Sequence, residues 1–554
     1  MVSVYKGLVA MYLKRTKTAN GRTYMAITQS YRDSHGAPRS RTVKSLGYLD
    51  ELEKKHDDAI DYCMREKKRL ENEYAHDKIQ QTVLLDPNKR LQTKSLIRKN
   101  MGFYAYRTIY RELELDAYLK RKATRAHMEV PFDKIIECLL YIYLGGTRDL
   151  SRVWSHKDDF LVSFDFTYSE MIAALDFAAL IDTDIHLWLV RHVEKMGILS
   201  DSTGYLAIVN FYCDKVAAGA APNEFQYFDS MVQVGMLFDK NRFPVSYSVF
   251  FGSDYQNRLR RHVNPAYVLD LLTDHHPTLK KIVVIADKGA SASDETIAQI
   301  TKKGDYLFGL LPTECAPETR RWMMSPDGYD SYGDDSYRSK QRLITRRVEI
   351  GRGKYISRRI LPERQIALWS KRQEGMRRTL RAPTTASVFE SPEIDWLTDS
   401  NEFSGNWADG YRLLVTSQTQ NSIIQNASIY QLLHYTKEMF EPSAFETQKP
   451  LKDIPWEKQV KAHCLLCYIA DLLASLLSFR TDGLYSASQI THSLARANGT
   501  EIENGWYAFD YYDKVLEAIS NTTEIDYGKK YMSEEEIKRL LAKPRNKSNF
   551  TEHN

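Results

Sequence analysis

The rhythm of apolar residues changes several times between residue 10 and residue 480, and each change predicts a different element. Near the N-terminus, Tyr12-Leu13-Lys14-Arg15 leads into Asn20-Gly21, a dipeptide suited to a tight hairpin because both residues tolerate positive φ. Arg22 to Tyr31 then reads as a second strand, Asp33 to Pro38 as a turn, and Ser40 to Leu46 as a third strand. From 49 to 80 the chain is heavily charged. Leu52, Ile60, Cys63, Met64 and Leu70 give only a thin apolar stripe, which predicts a helix acting as a linker or in self-association. Between 95 and 200 the spacing is that of packed helices. Phe103, Ile109, Leu113, Leu115 and Leu119 recur at helical intervals, as do Ile135, Ile136, Leu139, Leu140 and Ile142 before the break at Gly145-Gly146. Met171, Ala174, Leu175 and Phe177 mark another helix.

At about 205 the pattern turns to strands: Tyr205 to Tyr212, Met231 to Phe238 and, after the turn Asp239-Lys240-Asn241, Val245 to Phe251. A helix is expected over 266–273. Val283-Val284-Ile285-Ala286-Asp287 follows, a β-branched run with the character of a buried strand that ends in an acid. Ser293, with Asp294 and Glu295 behind it, reads as the start of a helix, and Tyr306 to Leu310 as a fifth strand. Three strands joined by meander turns and then alternating helix and strand is the order of an RNase H-like α/β core. The span 311–408, punctuated by Gly351, Gly353 and Pro362, interrupts it with β-rich segments. The core resumes with the strand Tyr411 to Ser417 and helices at 425–441 and 456–478, the second apolar on most sides and so expected to be buried. A short helix is expected from Ser533, and Lys543 to Lys547 reads as a disordered tail. The expected class is therefore α/β multidomain, in six parts. These are a small basic β unit (1–50), a charged helix or linker (51–92), a helical region (93–200), the RNase H-like core (201–310 and 409–480), the insertion (311–408), and C-terminal helices with a tail (481–554).

Composition narrows the function. At 554 residues the chain exceeds one hydrophobic core. Its six cysteines, at 63, 138, 213, 315, 464 and 467, form no disulfide framework. Cys464 and Cys467 beside His463 have metal-type spacing, but they lie in an apolar helix without a second pair, which favours core packing. No apolar run reaches the roughly 20 residues of a membrane span, and the first residues lack the apolar centre of a signal peptide, so a cytoplasmic location is expected. Neither a glycine-rich phosphate loop nor a nucleophile constellation around Ser202 or the histidines is present. The net charge of +5 is small, but it is unevenly spread. Arg15, Lys17, Arg22, Arg32, Arg39, Arg41 and Lys44 crowd the N-terminal unit, and the insertion carries Arg338, Lys340, Arg342, Arg346, Arg347, Arg358, Arg359 and Arg364 among Tyr337, Tyr355 and Trp369. Basic residues interleaved with aromatics suit a nucleic-acid surface; the alternatives are a solvated sheet face for the N-terminal unit and an oligomer contact or a loosely ordered segment for the insertion.

Several segments, in order, resemble the insertion-sequence transposases of the DDE class, in the branch whose third acid sits in a Tyr-x2-Arg-x3-Glu-x6-Lys signature. Ser30-Tyr31-Arg32-Asp33 and Val43 to Leu49 look like that family's N-terminal unit. Val232 to Asp239 and Phe243 to Tyr247 look like its second and third core strands, and Ala286-Asp287-Lys288-Gly289 matches the strand bearing the second acid. Ile366 to Ser370 and Asp409 to Ser417 match the insertion and the strand after it. The resemblance implies double-stranded DNA with terminal inverted repeats as partner, a homodimer, no membrane, and a bacterial, nucleoid-associated location. It gives the 93–200 region a role in DNA binding or dimerisation. It also makes Arg22, Arg39, Arg41, Lys44, Arg346, Arg347, Arg358 and Arg359 the expected DNA contacts.

The chemistry of that family uses three carboxylates to hold two divalent ions, Mg²⁺ or Mn²⁺, which demand hard oxygen ligands. Carried onto this chain, the first acid falls on Ala207, the second on Asp287 and the third on Lys437. Tyr430 keeps the signature tyrosine, Leu433 takes the arginine position and Ala444 the distal lysine position. The substitutes nearest in sequence are Asp214, beyond the first strand, and Glu438, one helical step of about 100° from Lys437. The expectation is a DNA-binding descendant of a transposase with impaired chemistry and no cofactor, either a decayed element product or a domesticated regulator, whose Lys437 could lend its own charge to the vacated metal site. The alternative is an active enzyme in which Asp214 and Glu438 join Asp287 around Mg²⁺ or Mn²⁺.

Overall fold

The computed structural model describes residues 11–18, 21–32, 38–56, 58–77, 98–150, 152–161, 163–199, 203–212, 231–251, 268–269, 279, 281–287, 294–332, 336–350, 357–371, 410–440, 454–503, 505–523 and 525–542. They fall into two compact units, Met1–Ser95 and Leu96–Asn554.

The first unit is the antiparallel sheet that the N-terminal alternation predicts: β1 (Met11–Lys17), β2 (Thr23–Arg32) and β3 (Pro38–Tyr48), in that order. In place of one long helix, the charged stretch forms α1 (Leu49–Leu52) and α2 (Ala59–Asp77). Asp58 causes the restart, because its Oδ1 accepts from the backbone N–H of Ile60 (3.0 Å) and Asp61 (2.8 Å), as an N-cap does. Leu52, Cys63 and Leu70 are buried with Met11, Met25 and Ile27 of the sheet, whereas Ile60 and Met64 are exposed. The apolar stripe is thus narrower than the sequence suggests and still covers one sheet face.

The second unit opens with β4 (Arg98–Asn100) and the helices α3 (Tyr104–Glu112), α4 (Leu115–Arg125), α5 (Phe132–Leu144), α6 (Tyr168–Leu180) and α7 (Asp182–Lys195). The chain then lays down β5 (Thr203–Tyr212), β6 (Met231–Asp239), β7 (Pro244–Phe251) and β8 (Lys281–Asp287). After α8 (Asp294–Ile300) come β9 (Gly304–Leu310), α9 (Pro317–Met324), β10 (Asp330–Tyr332), β11 (Tyr337–Ile350), β12 (Ser357–Ser370) and β13 (Tyr411–Thr416). All nine strands from β5 to β13 share one sheet, ordered β10-β11-β12-β13-β9-β8-β5-β6-β7. β8 runs parallel to β5 and to β9, and the other pairs are antiparallel. Rather than leaving the sheet, the β-rich span after residue 310 continues it: β11 and β12 pair over 14 residues, and β12 pairs with β13. Of the expected helix at 266–273 only Val268 and Leu269 are described, both helical and buried.

Two helices follow, α10 (Ile423–Met439) and α11 (Trp456–Arg480). Alternate strand residues serve opposite faces of the sheet. Ala207, Val283, Ile285 and Leu307 pack with Tyr430 and Leu433 of α10, while Leu206, Val284 and Phe308 pack with Ile297 and Ile300 of α8. α11 is buried nearly all round, against α3, α5, α6 and β7. By length and composition it passes for a membrane span, which the sequence reading did not find, but 78% of its most apolar window lies inside the fold, as suits a core helix.

The remaining elements are α12 (Ala487–Arg496), β14 (Asn498–Glu503), β15 (Trp506–Phe509), α13 (Lys514–Thr523), β16 (Tyr531–Ser533) and α14 (Glu534–Ala542). A second sheet, ordered β16-β15-β14-β4, joins this segment to the start of the unit. Asn100 locks the join. Its side-chain amide donates to the carbonyls of Leu494 (2.9 Å) and Ala495 (3.2 Å), and its Oδ1 accepts from the backbone of Phe103. The sequence reading has only helices in these stretches, because strands of three to six residues carry too little alternation to register. The Ser293 cap and the Lys543–Lys547 tail lie outside the described residues.

Candidate functional site

Asp287 is the last residue of β8, and β9 lies beside it in parallel, with Gly309 as its Cα partner. On the far side of β9, β13 supplies Arg412. Above them runs α10, set in place by a reciprocal cap: Ser422 Oγ accepts from Gln425 N–H (3.1 Å) and Gln425 Oε1 from Ser422 N–H (2.8 Å). This start puts Tyr430 two turns into the helix, on the side that faces the sheet.

The three side chains meet at one oxygen. Arg412 Nη1 donates to Asp287 Oδ1 at 3.0 Å and to the Tyr430 hydroxyl oxygen at 2.8 Å. Tyr430 in turn donates its proton to Asp287 Oδ1. Arg412 is 4% exposed and Asp287 19%. Burial works against the guanidinium's charge, but the oxygens of Tyr430 and Asp287 outweigh it and hold Arg412 more firmly protonated than an ordinary arginine. Burial, with the neighbouring Asp287 charge, likewise raises the Tyr430 phenol well above its usual range, despite the opposing pull of Arg412. Gly309 makes the cluster possible, since a Cβ there would stand 2.1 Å from the Tyr430 hydroxyl and 2.5 Å from Asp287 Oδ1.

Of the other positions singled out in the sequence, those that are described bring no acid to this cluster. Ala207 is fully buried in β5, and its strand partner Ile285 precedes Asp287 by two residues, so its methyl shares the face of Asp287. Lys437 is half-buried in the last turn of α10, seven residues and so about 10 Å beyond Tyr430 on nearly the same helix face. A cation there also complements the helix C-terminus. The neighbouring Glu438 side chain is 63% exposed and pairs with His434 (3.1 Å), which holds its carboxyl below the usual range. No described hydrogen bond or ion pair links it to Asp287. Asp214 and Ala444 lie outside the described residues. Cys464, Cys467 and His463 are fully buried in α11, where His463 contacts the Tyr143 hydroxyl (3.0 Å) and Cys467 (3.5 Å), and burial drives its pKa to about 3.

A divalent ion does not fit this donor set. Among the described residues no three His, Cys, Asp or Glu side chains come together to hold one. Oδ1 of Asp287 already accepts two hydrogen bonds, and a buried cation stands beside it.

The basic residues divide by what they touch. Arg22 binds Asp50 (2.9 Å) and Glu51 (2.6 Å) and stacks on Tyr48, and Lys44 pairs with Glu66. Arg346 ties Asp294 to Glu363 (3.2 Å each), and Arg358 binds Glu349 (2.9 Å). Lys340 is buried, donating to the carbonyls of Ser325 and Asp327. Arg347 and Arg359 are exposed, without a described partner. The side chains of Arg39 and Arg41 lie outside the description.

Sequence reasoning missed Arg412 and Gly309. The available signal was Arg412 itself, a charge at an inward-facing position of the apolar run Leu413-Leu414-Val415, which requires a buried partner.

Comparison with known proteins bears on the first unit. Residues 13–81 match the IS1634 family transposase N-terminal domain. No curated protein matches the chain. Among solved structures, the piggyBac transposase synaptic complex with hairpin DNA, determined by cryo-EM, aligns over 65% of this chain and 70% of its own at 8% identity. Its TM-score is 0.30, too low for any inference to rest on. The likeness to the insertion-sequence transposases is therefore one of residues 13–81, the N-terminal sheet and the helices that follow it.

Proposed function

We propose that this protein is a DNA-binding descendant of an insertion-sequence transposase, with an RNase H-like core whose strand-cutting chemistry has lapsed. The strand arrangement supports the core: antiparallel β7, β6 and β5, then β8 and β9 parallel to β5, with Asp287 at the end of β8. The observation that carries the loss of chemistry is the occupancy of the three acid positions. A methyl group stands at Ala207, an ammonium at Lys437, and the one carboxylate, Asp287, is bound to Arg412 and Tyr430. Metal-dependent phosphoryl transfer needs several oxygen ligands around its ions, and among the described residues this arrangement offers one carboxylate, whose Oδ1 is already in use.

DNA contact falls to the basic surfaces. The hairpin β11–β12 carries Arg347 and Arg359 on opposite faces, exposed, and a two-stranded ribbon fits the major groove of B-DNA. The N-terminal unit adds Arg39 and Arg41, and a homodimer would present two such surfaces to inverted repeats. Such a protein would act as a regulator or competitor of active relatives, or persist as a decayed element product.

The deciding experiment incubates the full chain with duplex DNA bearing inverted repeats from the flanks of its own coding sequence, with Mg²⁺ or Mn²⁺. Salt-sensitive binding without nicking is expected. Nicking that vanishes in Asp287→Ala would overturn the proposal.

A further inference from the structure

We infer that Arg412 is a counterion built into the chain, supplying to Asp287 the positive charge that a divalent ion would otherwise bring, and that the old acid position now works as a fastener between β8, β13 and α10. This rests on the proposed descent but not on DNA binding.

Four observations converge. Arg412 is nearly inaccessible to water, so its charge cannot be an ordinary solvated one, and a buried charge persists only when paired. Its described oxygen partners are Asp287 Oδ1 and the Tyr430 hydroxyl. The carboxylate oxygen that faces the cluster accepts from both donors, which uses its two lone-pair directions. At Oδ1 an incoming ion would have to displace a guanidinium and a phenol, and anywhere on this carboxylate it would sit beside a fixed positive charge. Lastly, the strand between the two charged residues has glycine at 309, leaving the space that the Tyr430 hydroxyl and the carboxylate fill. A free metal-binding acid would have no need of that space.

The neighbouring substitutions agree with one another. Ala207 and Lys437 lie on the same side of the sheet as Asp287 and bring no further negative charge. An acid site emptied of metal suffers repulsion among its carboxylates, whereas this site is balanced. It follows that restoring acids at 207 and 437 would not by itself restore an ion site while Arg412 remains.

The test is thermal unfolding of the full chain, with Mg²⁺ or Mn²⁺ titrated from micromolar to millimolar at constant ionic strength, together with Asp287→Asn, Arg412→Met and the double variant. The expected result is no change of Tm with either ion. Each single variant should lower Tm, and the double variant should lose less than the sum of the two, the mark of direct coupling. Two results would overturn the inference: a rise in wild-type Tm with Mn²⁺ that Asp287→Asn abolishes, or losses that simply add. Should a single variant fail to fold, the ion titration of the unaltered protein decides alone. Duplex DNA binding measured on the same wild-type sample separates the two proposals, because its absence would remove the functional reading and leave the ion pair intact.

Discussion

Gly309 bears a constraint out of proportion to its size. A methyl group at this position would overlap both the Tyr430 hydroxyl and the Asp287 carboxylate, and neither can swing away, since each is bonded to the other and to Arg412. Gly309→Ala is expected to destabilise the protein by about 1–3 kcal/mol, the usual cost of overpacking a filled site, as a lower midpoint in urea. Asp471 offers a separate prediction. It is buried in α11, takes a hydrogen bond from Tyr435, and is pushed up to about 6 by burial, against the pull of that bond and of Arg148. An unfolded aspartate titrates near 3.9, so between about pH 4 and 6 the folded state keeps a proton that the unfolded state has released. This contribution to stability is therefore greatest at or below pH 4 and falls by up to roughly 3 kcal/mol as pH rises to 6 and beyond. Asp471→Asn should flatten the slope and raise stability at neutral pH, measured by urea unfolding between pH 4.5 and 7.5. An unchanged slope would contradict the assignment. Neither position was legible in the sequence. A glycine in a strand and an acid in an apolar helix are visible there, but of the partners that give them meaning only Asp287 and Tyr435 lie within a hundred residues.

The hairpin β11–β12 shows how far a charge run can be read without coordinates. Its basic character stands out in sequence, but adjacent residues of a strand face opposite ways, and only the fold tells which meet acids. Arg346 turns inward to Asp294 and Glu363, with Glu363 also accepting from the Tyr306 hydroxyl (2.7 Å), while its neighbour Arg347 faces solvent. The two should behave oppositely. Arg347→Ala with Arg359→Ala is expected to weaken duplex DNA binding and reduce the salt slope by up to about 2, one per lost phosphate contact, with little effect on Tm. Arg346→Ala should lower Tm, because it strands Glu363 in the interior, and leave the salt slope nearly unchanged. Fluorescence anisotropy in a salt series, beside thermal melts, checks both. The strands β5 to β9 and β13 were readable because each is a run of five or more apolar or alternating residues. β4, β14, β15 and β16 were not, because their pairing holds them in place more than their own composition does.

At the largest scale, the first unit carries the likeness to the IS1634 family N-terminal domain, and the cluster around Asp287 sits in the sheet of the second. The order of strands followed from the sequence. The extension of the sheet by β10 to β12 did not, because local alternation cannot say which strand a hairpin will join. One long-range pairing shapes how the second unit is made. Arg98–Asn100 is laid against Asn498–Thr500, about 400 residues later in the chain. At about 5–20 residues per second, the early strand leaves the ribosome roughly 20–80 s before its mate exists. Throughout that wait β4 can hold its bridge to Phe160 but not its β14 partner, so the second sheet closes only after the helices and the nine-stranded sheet between them have been made.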